Sequence, residues 1–338
     1  LDKNNKHIFR KKMTKISTFF TRGNKIESIH EIKCLIIDKQ NKILLSTNND
    51  EDAIFPRSAI KIFQAIPFAL SNAFSKYNLN SKQIALACSS HCGEKFHIKE
   101  LNNWLKKLSI PISSLNCGIH HPLDSQSSKK LLLSKKKPNQ LYNNCSGKHL
   151  AMLSACLSNN FTTKNYLSFD HPHQINIRNT LEFFSQTNIY KSYFGIDGCS
   201  APQYALKIKN LSLALLNLIN SYNAKYKYQK EVQLLINNIL INPSFIGGSK
   251  NFDSYLIKIC NKKIFCKGGA EGVFLFGHLK NKIVGVFKVS DGNERALPSA
   301  VSTVLSKLNI LSLDEKKQLT SLIKSPILNH AKTITGNI

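Results

Sequence analysis

Apolar and polar positions follow three different rhythms along this chain. Residues 33–37 form a strand-like run, Asp38-Lys39-Gln40-Asn41 a turn, and residues 42–45 a second strand, so 33–46 reads as a hairpin. After Pro56 the period lengthens. Ile60, Phe63 and Ile66 recur near helical spacing, which predicts a helix that Pro67 kinks or ends. Ile84-Ala85-Leu86-Ala87-Cys88 is a short apolar run closing on the polar cluster Ser89-Ser90-His91. Residues 94–108 predict an amphipathic helix with Ile98, Leu101, Leu105 and Leu108 on one face. The lysine-rich stretch 123–140 reads as a surface loop. Helical patterns resume at 148–158, 174–186, 204–222 and 229–240, with 223–230 as an exposed connection. Residues 273–279 and 283–289 then flank the turn Lys280-Asn281-Lys282, and a last helix is expected over 295–308.

Strands, a long helical middle, and strands again predict an α+β class. An antiparallel sheet would be built from both chain ends, about 21–55 and 265–310. Helices would pack on it, with a helical lobe inserted over about 68–260. With 338 residues and 42% hydrophobic content, the chain can bury one large core. The expected catalytic domain runs over 21–325. Residues 1–20 are expected to be an extension and 326–338 a tail. No apolar run reaches the roughly 18 residues of a membrane span. The start lacks a secretory apolar segment and is polar and basic through residue 12, so Met13 is the expected start and the cytoplasm the expected location.

A net charge of +27 raises nucleic-acid binding as a function class. Lysine supplies 42 of the 47 basic residues, arginine only five, and asparagine and isoleucine abound alongside. That pattern is compositional bias, and no zinc-finger, helix-turn-helix or RNA-binding signature accompanies it. Neither a nucleic-acid nor a membrane partner is expected. The scarce arginines Arg22, Arg57 and Arg295 mark places that need a planar, bidentate donor. Nine cysteines, an odd number without an export signal, argue for free thiols or metal ligation over disulfides.

Several segments have the residue types of a reaction centre. Ser58 and Lys61 sit at i and i+3, where a helix puts both on one face and a neutral amine could take the serine proton. The spacing alone says little, because it recurs at Ser127/Lys130, Ser134/Lys137 and Ser321/Lys324. Ser58 stands out by its apolar flanks, the preceding Pro56 and the adjacent Arg57. Ser89-Ser90-His91-Cys92-Gly93-Glu94 opens a helix, either as a ligand-facing junction or as an ordinary cap. Asn144-Cys145-Ser146-Gly147-Lys148-His149 and Asp197-Gly198-Cys199 offer two thiolates and a nitrogen for a zinc, or two small buried hydrophobes. His120-His121 and His171-Pro172-His173 are further ligand types, found more often in structural turns. Lys267-Gly268-Gly269 precedes a strand, and Lys288 offers a rival lysine.

In this order the segments resemble the asparaginase II family, the rhizobial-type, β-lactamase-like, zinc-containing L-asparaginases. Thr21-Arg22-Gly23, Glu27-Ser28-Ile29-His30, Cys117-Gly118-Ile119-His120, Ala201-Pro202, Gly269-Ala270-Glu271-Gly272 and Asp291-Gly292 extend the resemblance over about 20–310. Cys92 and Ile119 depart from the smaller or more rigid residues expected there. The resemblance implies a fold related to serine β-lactamases and glutaminases, and hydrolysis of L-asparagine to L-aspartate and ammonia. It implies two serine–lysine pairs, Ser58 with Lys61 and Ser90 with Lys267, the last with Lys288 as alternative. It also implies one zinc per chain on Cys145, Lys148 and Cys199, a substrate pocket with Arg57, His149 and Asp197, and a homodimer. The competing functions are another amidohydrolase, of glutaminase or β-lactam type, and a non-catalytic basic nucleic-acid binder.

Overall fold

The computed structural model describes residues 15–323 and 326–338, so the expected start at Met13 lies outside the described residues. The chain opens with strands β1 (Ile16–Arg22), β2 (Lys25–Ile37), β3 (Ile43–Ser46) and β4 (Ala53–Ile54). Helices α1 (Lys61–Leu70), α2 (Ala73–Lys76), α3 (Ser81–Leu86), α4 (Lys95–Leu108), α5 (Ser125–Leu133), α6 (Ser146–Ser158) and α7 (Pro172–Ser185) follow. Short strands β5 (Phe194–Ile196), β6 (Pro202–Tyr204) and β7 (Leu206–Lys207) lead to α8 (Ile208–Asn223), α9 (Gln229–Ile241) and α10 (Phe252–Ile259). The end brings β8 (Ile264–Gly269), β9 (Val273–His278), β10 (Ile283–Val289), α11 (Leu297–Lys307), α12 (Leu313–Ile323), β11 (Ile327–Leu328) and β12 (Ile334–Gly336).

The main sheet is antiparallel, in the order β1-β2-β10-β9-β8, with β3 also on β2. Val289 pairs with Ile32 and Val286 with Leu35, so the two chain ends meet along β2 and β10 as the hydrophobic pattern predicts. Residues of β9 are buried along its whole length, which means that both faces of the sheet are covered. One face meets α8: a Cβ on Gly277 would run into the Ile219 side chain. The other meets the start of α11, where Thr18 donates to the Ala296 carbonyl at 3.2 Å. Helix α1 is the centre of the lobe, buried from Lys61 through Ala69. A helix buried on all sides belongs in a core rather than at a surface.

Three expectations need correction. Pro67 does not end its helix; α1 runs through it to Leu70, because one missing N–H is outweighed by burial around the whole helix. The expected loop 123–140 contains α5, whose start is capped by Asp124 accepting from the Ser127 N–H at 2.7 Å. The helix expected from 204 starts at Ile208, since β6 and β7 pair with β5 and β4. Strand β1 begins at Ile16 with Phe20 buried, and the C-terminal hairpin bonds back to it, Thr21 N–H to Asn337 O at 2.9 Å.

Candidate active site

Pro56 leads into a single 3₁₀ turn, Arg57–Ile60, that feeds α1. Arg57 takes φ +50°, a left-handed conformation that costs a non-glycine residue about 1–3 kcal/mol. Two contacts hold it there. Its guanidinium pairs with Asp197 at 2.6 Å, and the Gln203 side-chain amide donates to its carbonyl at 3.2 Å. This strained residue turns the next one, Ser58, into a cavity of about 290 Å³. Ser90, Asn144, Lys267, Gly268 and Gly269 line the same space. The Ser58 hydroxyl makes no hydrogen bond among the described residues.

Lys61 lies beneath, fully buried, and donates to Ser90 Oγ at 2.9 Å, to Cys145 Sγ at 3.2 Å and to the Ser89 carbonyl. Burial pulls its pKa below the ordinary lysine value, Cys145 opposing and Lys148 adding to the effect. The amine thus bonds the second serine rather than Ser58. Ser90 itself is fixed by its N–H on the Ile246 carbonyl at 2.8 Å. Lys267 shares the cavity, but its ammonium pairs with Asp253 at 3.1 Å and donates to the Gly268 carbonyl at 2.7 Å. The rival Lys288 donates to the Glu271 and Val289 carbonyls and lines a separate cavity of about 620 Å³ beside Phe55 and Arg57.

Cys145 stands at the N-terminus of α6, Lys148 one turn into it, and Cys199 in the turn after Asp197. All three are buried, and the Lys148 amine lies 3.1 Å from Cys199 Sγ. A hydrogen bond from Cys145, then the Lys148 charge, pulls the Cys199 thiol down to about 5 against its burial. The same hydrogen bond and burial push Cys145 up to about 12. Burial lowers the Lys148 pKa, but Cys199, Cys145 and Asp197 outweigh it and the net shift is upward. Asp197 is held below the usual carboxylate range: burial raises it, and Lys148 and Arg57 more than reverse that. His149 bonds the Tyr166 hydroxyl through Nδ1 at 2.6 Å, and its Nε2 is buried with no partner. Burial and then Lys148 bring its pKa down to about 3, so the ring is neutral.

Three further histidines bond within the fold. His91 meets Ser146 Oγ at 2.8 Å, His120 Nε2 accepts from the Asn144 N–H at 2.9 Å, and His171 caps α7. Cys92, Glu94 and His97 bring three possible ligand atoms within 4.8 Å of one another. Each is already engaged: Glu94 accepts from Ser249 Oγ at 2.6 Å and N–H at 2.8 Å, and His97 closes the cap of α4 and reaches the Ser244 carbonyl at 3.1 Å. The cluster is a clasp that fastens the loop before α10, one wall of the cavity, to α4. The sequence reading missed Asp253. It sits on another element than Lys267, and only Asn251, which caps α10 through the Asp253 N–H, hints at its fixed position.

The model of one family, L-asparaginase II, matches residues 19–338. The chain belongs to the asparaginase II family. The match takes in both halves of the sheet and the whole lobe around the Ser58 cavity, and supports an amidohydrolase with a small-molecule substrate. No curated protein matches the chain. Among the described residues no helix is long and apolar enough to cross a membrane. In this asparaginase-family chain the Cys145, Cys199 and Lys148 donors form a buried two-sulfur, one-nitrogen set that fits zinc chemistry. The lowered Cys199 thiol suits a metal ligand, whereas Lys148 must shed its proton to serve as one.

Proposed function

We propose that the protein hydrolyses L-asparagine to L-aspartate and ammonia through a serine acyl-enzyme. The observation that carries this reading is convergence: Ser58, Ser90 and Lys267 line one small cavity, with Lys61 bonded to Ser90 beneath it. Family membership supplies the amide substrate class. A volume of about 290 Å³ suits a free amino acid better than a peptide. Ser58, free of hydrogen bonds, attacks the side-chain amide carbon, and its proton passes to Lys61. Backbone N–H groups facing the cavity stabilise the oxyanion. The C–N bond breaks as the proton goes to the leaving nitrogen, and ammonia departs. Water then cleaves the acyl ester, the proton returns to Ser58, and aspartate leaves. Arg57, Asp197 and the neutral His149 orient the substrate.

The fold supports kinship with serine β-lactamases and glutaminases: a sheet from both chain ends, helices on both faces, and the nucleophile in the turn before a buried helix. Ammonia release from asparagine and from glutamine, and ring opening of a chromogenic lactam followed by its colour change, measured side by side, test the substrate. Asparagine is expected to be turned over fastest. Release from glutamine alone, or lactam cleavage alone, would reassign the enzyme.

Cys145, Lys148 and Cys199 are the proposed ligands of one zinc, and a homodimer is the proposed assembly. When bound, the metal would hold and polarise the substrate. Elemental analysis of protein purified without chelator is expected to find about one zinc per chain, as a single three-ligand site requires. Cys199→Ser should bring this near zero. A wild-type-like zinc content in that variant would exclude this ligand set.

A further inference from the structure

Lys288 stands apart from the reaction centre, and its surroundings form a cavity of their own. None of Ser58, Ser90 and Lys267 lines the space of about 620 Å³ beside Phe55 and Arg57. The register of β10 on β2 sets Lys288 directly opposite Lys33, and both lysines line that cavity. Like charges facing each other across an antiparallel pair destabilise it. Asp52 answers Lys33 at 2.7 Å. Lys288 has no such partner: among the described residues its ammonium reaches only the Glu271 and Val289 carbonyls, both at 2.6 Å. Burial pulls its pKa below the ordinary lysine value, with Glu271 opposing and Lys33 adding to the effect.

An ammonium has three protons, so one on Lys288 is unused. Three more groups on residues of the same wall are unanswered among the described residues. The Glu271 carboxylate is in no ion pair or hydrogen bond, the Ser290 hydroxyl has no partner, and Gln203 Oε1 is buried without one. Glu271 and Lys288 are neighbours, joined through the Glu271 main chain and not through its side chain. The rest of the wall is apolar, with Ile54, Phe55 and Ile196. The Phe55 ring lies against Gly195, where a Cβ would stand 3.0 Å from it, and the residue is still 44% exposed. A free cation beside a free carboxylate, next to an apolar wall, matches a free amino acid. Its carboxylate answers Lys288 and Ser290, its ammonium answers Glu271 and Gln203, and its side chain covers Ile54 and Phe55. A simple anion would face Glu271 as a like charge, and a purely apolar molecule would leave all four polar groups unpaired.

We propose that this cavity is a second amino-acid site, separate from the Ser58 cavity, that takes a free amino acid with a large apolar side chain. Its volume lies in the range of small-molecule sites, and it is the larger of the two cavities. The polar side chain of asparagine would leave the apolar wall uncovered, so the two sites take different ligands. The occupant lies against Arg57, the left-handed residue that sets Ser58.

Calorimetry on the full chain tests this with three probes: L-phenylalanine, phenylpropanoate, which lacks the ammonium, and phenylethylamine, which lacks the carboxylate. L-phenylalanine is expected to bind with a Kd of about 1 mM or below, and each of the other two about 10-fold more weakly or worse, the loss of one charged hydrogen bond. Lys288→Met should weaken L-phenylalanine about 10-fold and leave phenylethylamine within about twofold. Glu271→Gln should weaken L-phenylalanine by a similar factor and leave phenylpropanoate within about twofold. Saturating L-aspartate should not displace L-phenylalanine. The proposal is overturned by no binding of L-phenylalanine at about 10 mM, by equal affinity for the three probes, by displacement with L-aspartate, or by unchanged L-phenylalanine affinity in a folded variant. Thermal melts check the fold, and if Lys288→Met does not fold, Glu271→Gln must show its selective loss. Ammonia release plays no part in the readout, so a failure of the asparaginase reading leaves this result standing.

Discussion

Asparagine turnover is expected to fall by about 10⁴-fold or more in Ser58→Ala and by about 10²- to 10⁴-fold in Lys61→Met. Ser58 is the one serine of the cavity whose hydroxyl is free of hydrogen bonds among the described residues, which is the state an attacking group needs. Lys61 is the only amine bonded to a cavity serine there, through Ser90 at 2.9 Å. Methionine matches the lysine stem in length, so the buried position keeps its packing and loses the amine. The Ser89 carbonyl loses a donor, a cost of about 1–3 kcal/mol, which lowers the melting point without unfolding the protein. The double variant is expected to be hardly worse than Ser58→Ala, because residues that act as one unit are not additive. Ammonia release and thermal melts on the same preparations check both halves. Near wild-type turnover in either single variant would remove the serine–lysine mechanism. Ser90→Ala separates the two serines: a smaller loss than at Ser58 fits a relay through Ser90, and a larger one makes Ser90 the nucleophile.

Most of the sheet was legible in the sequence because hairpins announce themselves locally. Around Asp38–Asn41 and Lys280–Lys282 apolar runs flank a short polar turn, and the pairing of Val286 with Leu35 follows from joining them. Helix α5 was not legible. Of its nine residues only Leu131 is buried, so there is no apolar stripe to read, and the one clue was the Asp124 cap. The site divides in the same way. The segments carrying Ser58, Ser90, Cys145, Lys148 and Cys199 stand out as ordered motifs, and the structure brings the cavity serines and the thiols together around Lys61. Which lysine serves which serine was not readable. Lys61 reaches 29 positions to Ser90, and Lys267 reaches 14 positions to Asp253 on another element. Such bonds depend on how α1, α3, α10 and β8 pack, and local spacing has no access to that.

Gly269→Ala should cost about 100-fold in kcat/KM although it adds a single methyl group. The glycine ends β8 where the strand runs against the Ser58 turn. A Cβ there would stand 2.4 Å from the Pro56 carbonyl oxygen and 2.9 Å from the Ala59 nitrogen. Both are backbone atoms, so no side chain can swing aside. Restoring ordinary contact requires the turn or the strand to move by about 1 Å, and a misplacement of that size near a nucleophile costs on the order of 10² in rate. The turn has little freedom to move, since Arg57 is held left-handed by Asp197 and Gln203. Overpacking of this kind costs about 1–3 kcal/mol of stability, so the protein should still fold and melt several degrees lower. Gly268→Ala is the internal comparison. Its Cβ meets only the Asp253 carboxylate, at 3.0 Å, a side-chain contact looser than the backbone contacts of Gly269, so its loss of kcat/KM should be the smaller of the two. If Gly269→Ala turns over asparagine within threefold of the wild type, the close approach of β8 does not set the position of Ser58, and the strain at Arg57 must be holding the nucleophile by itself.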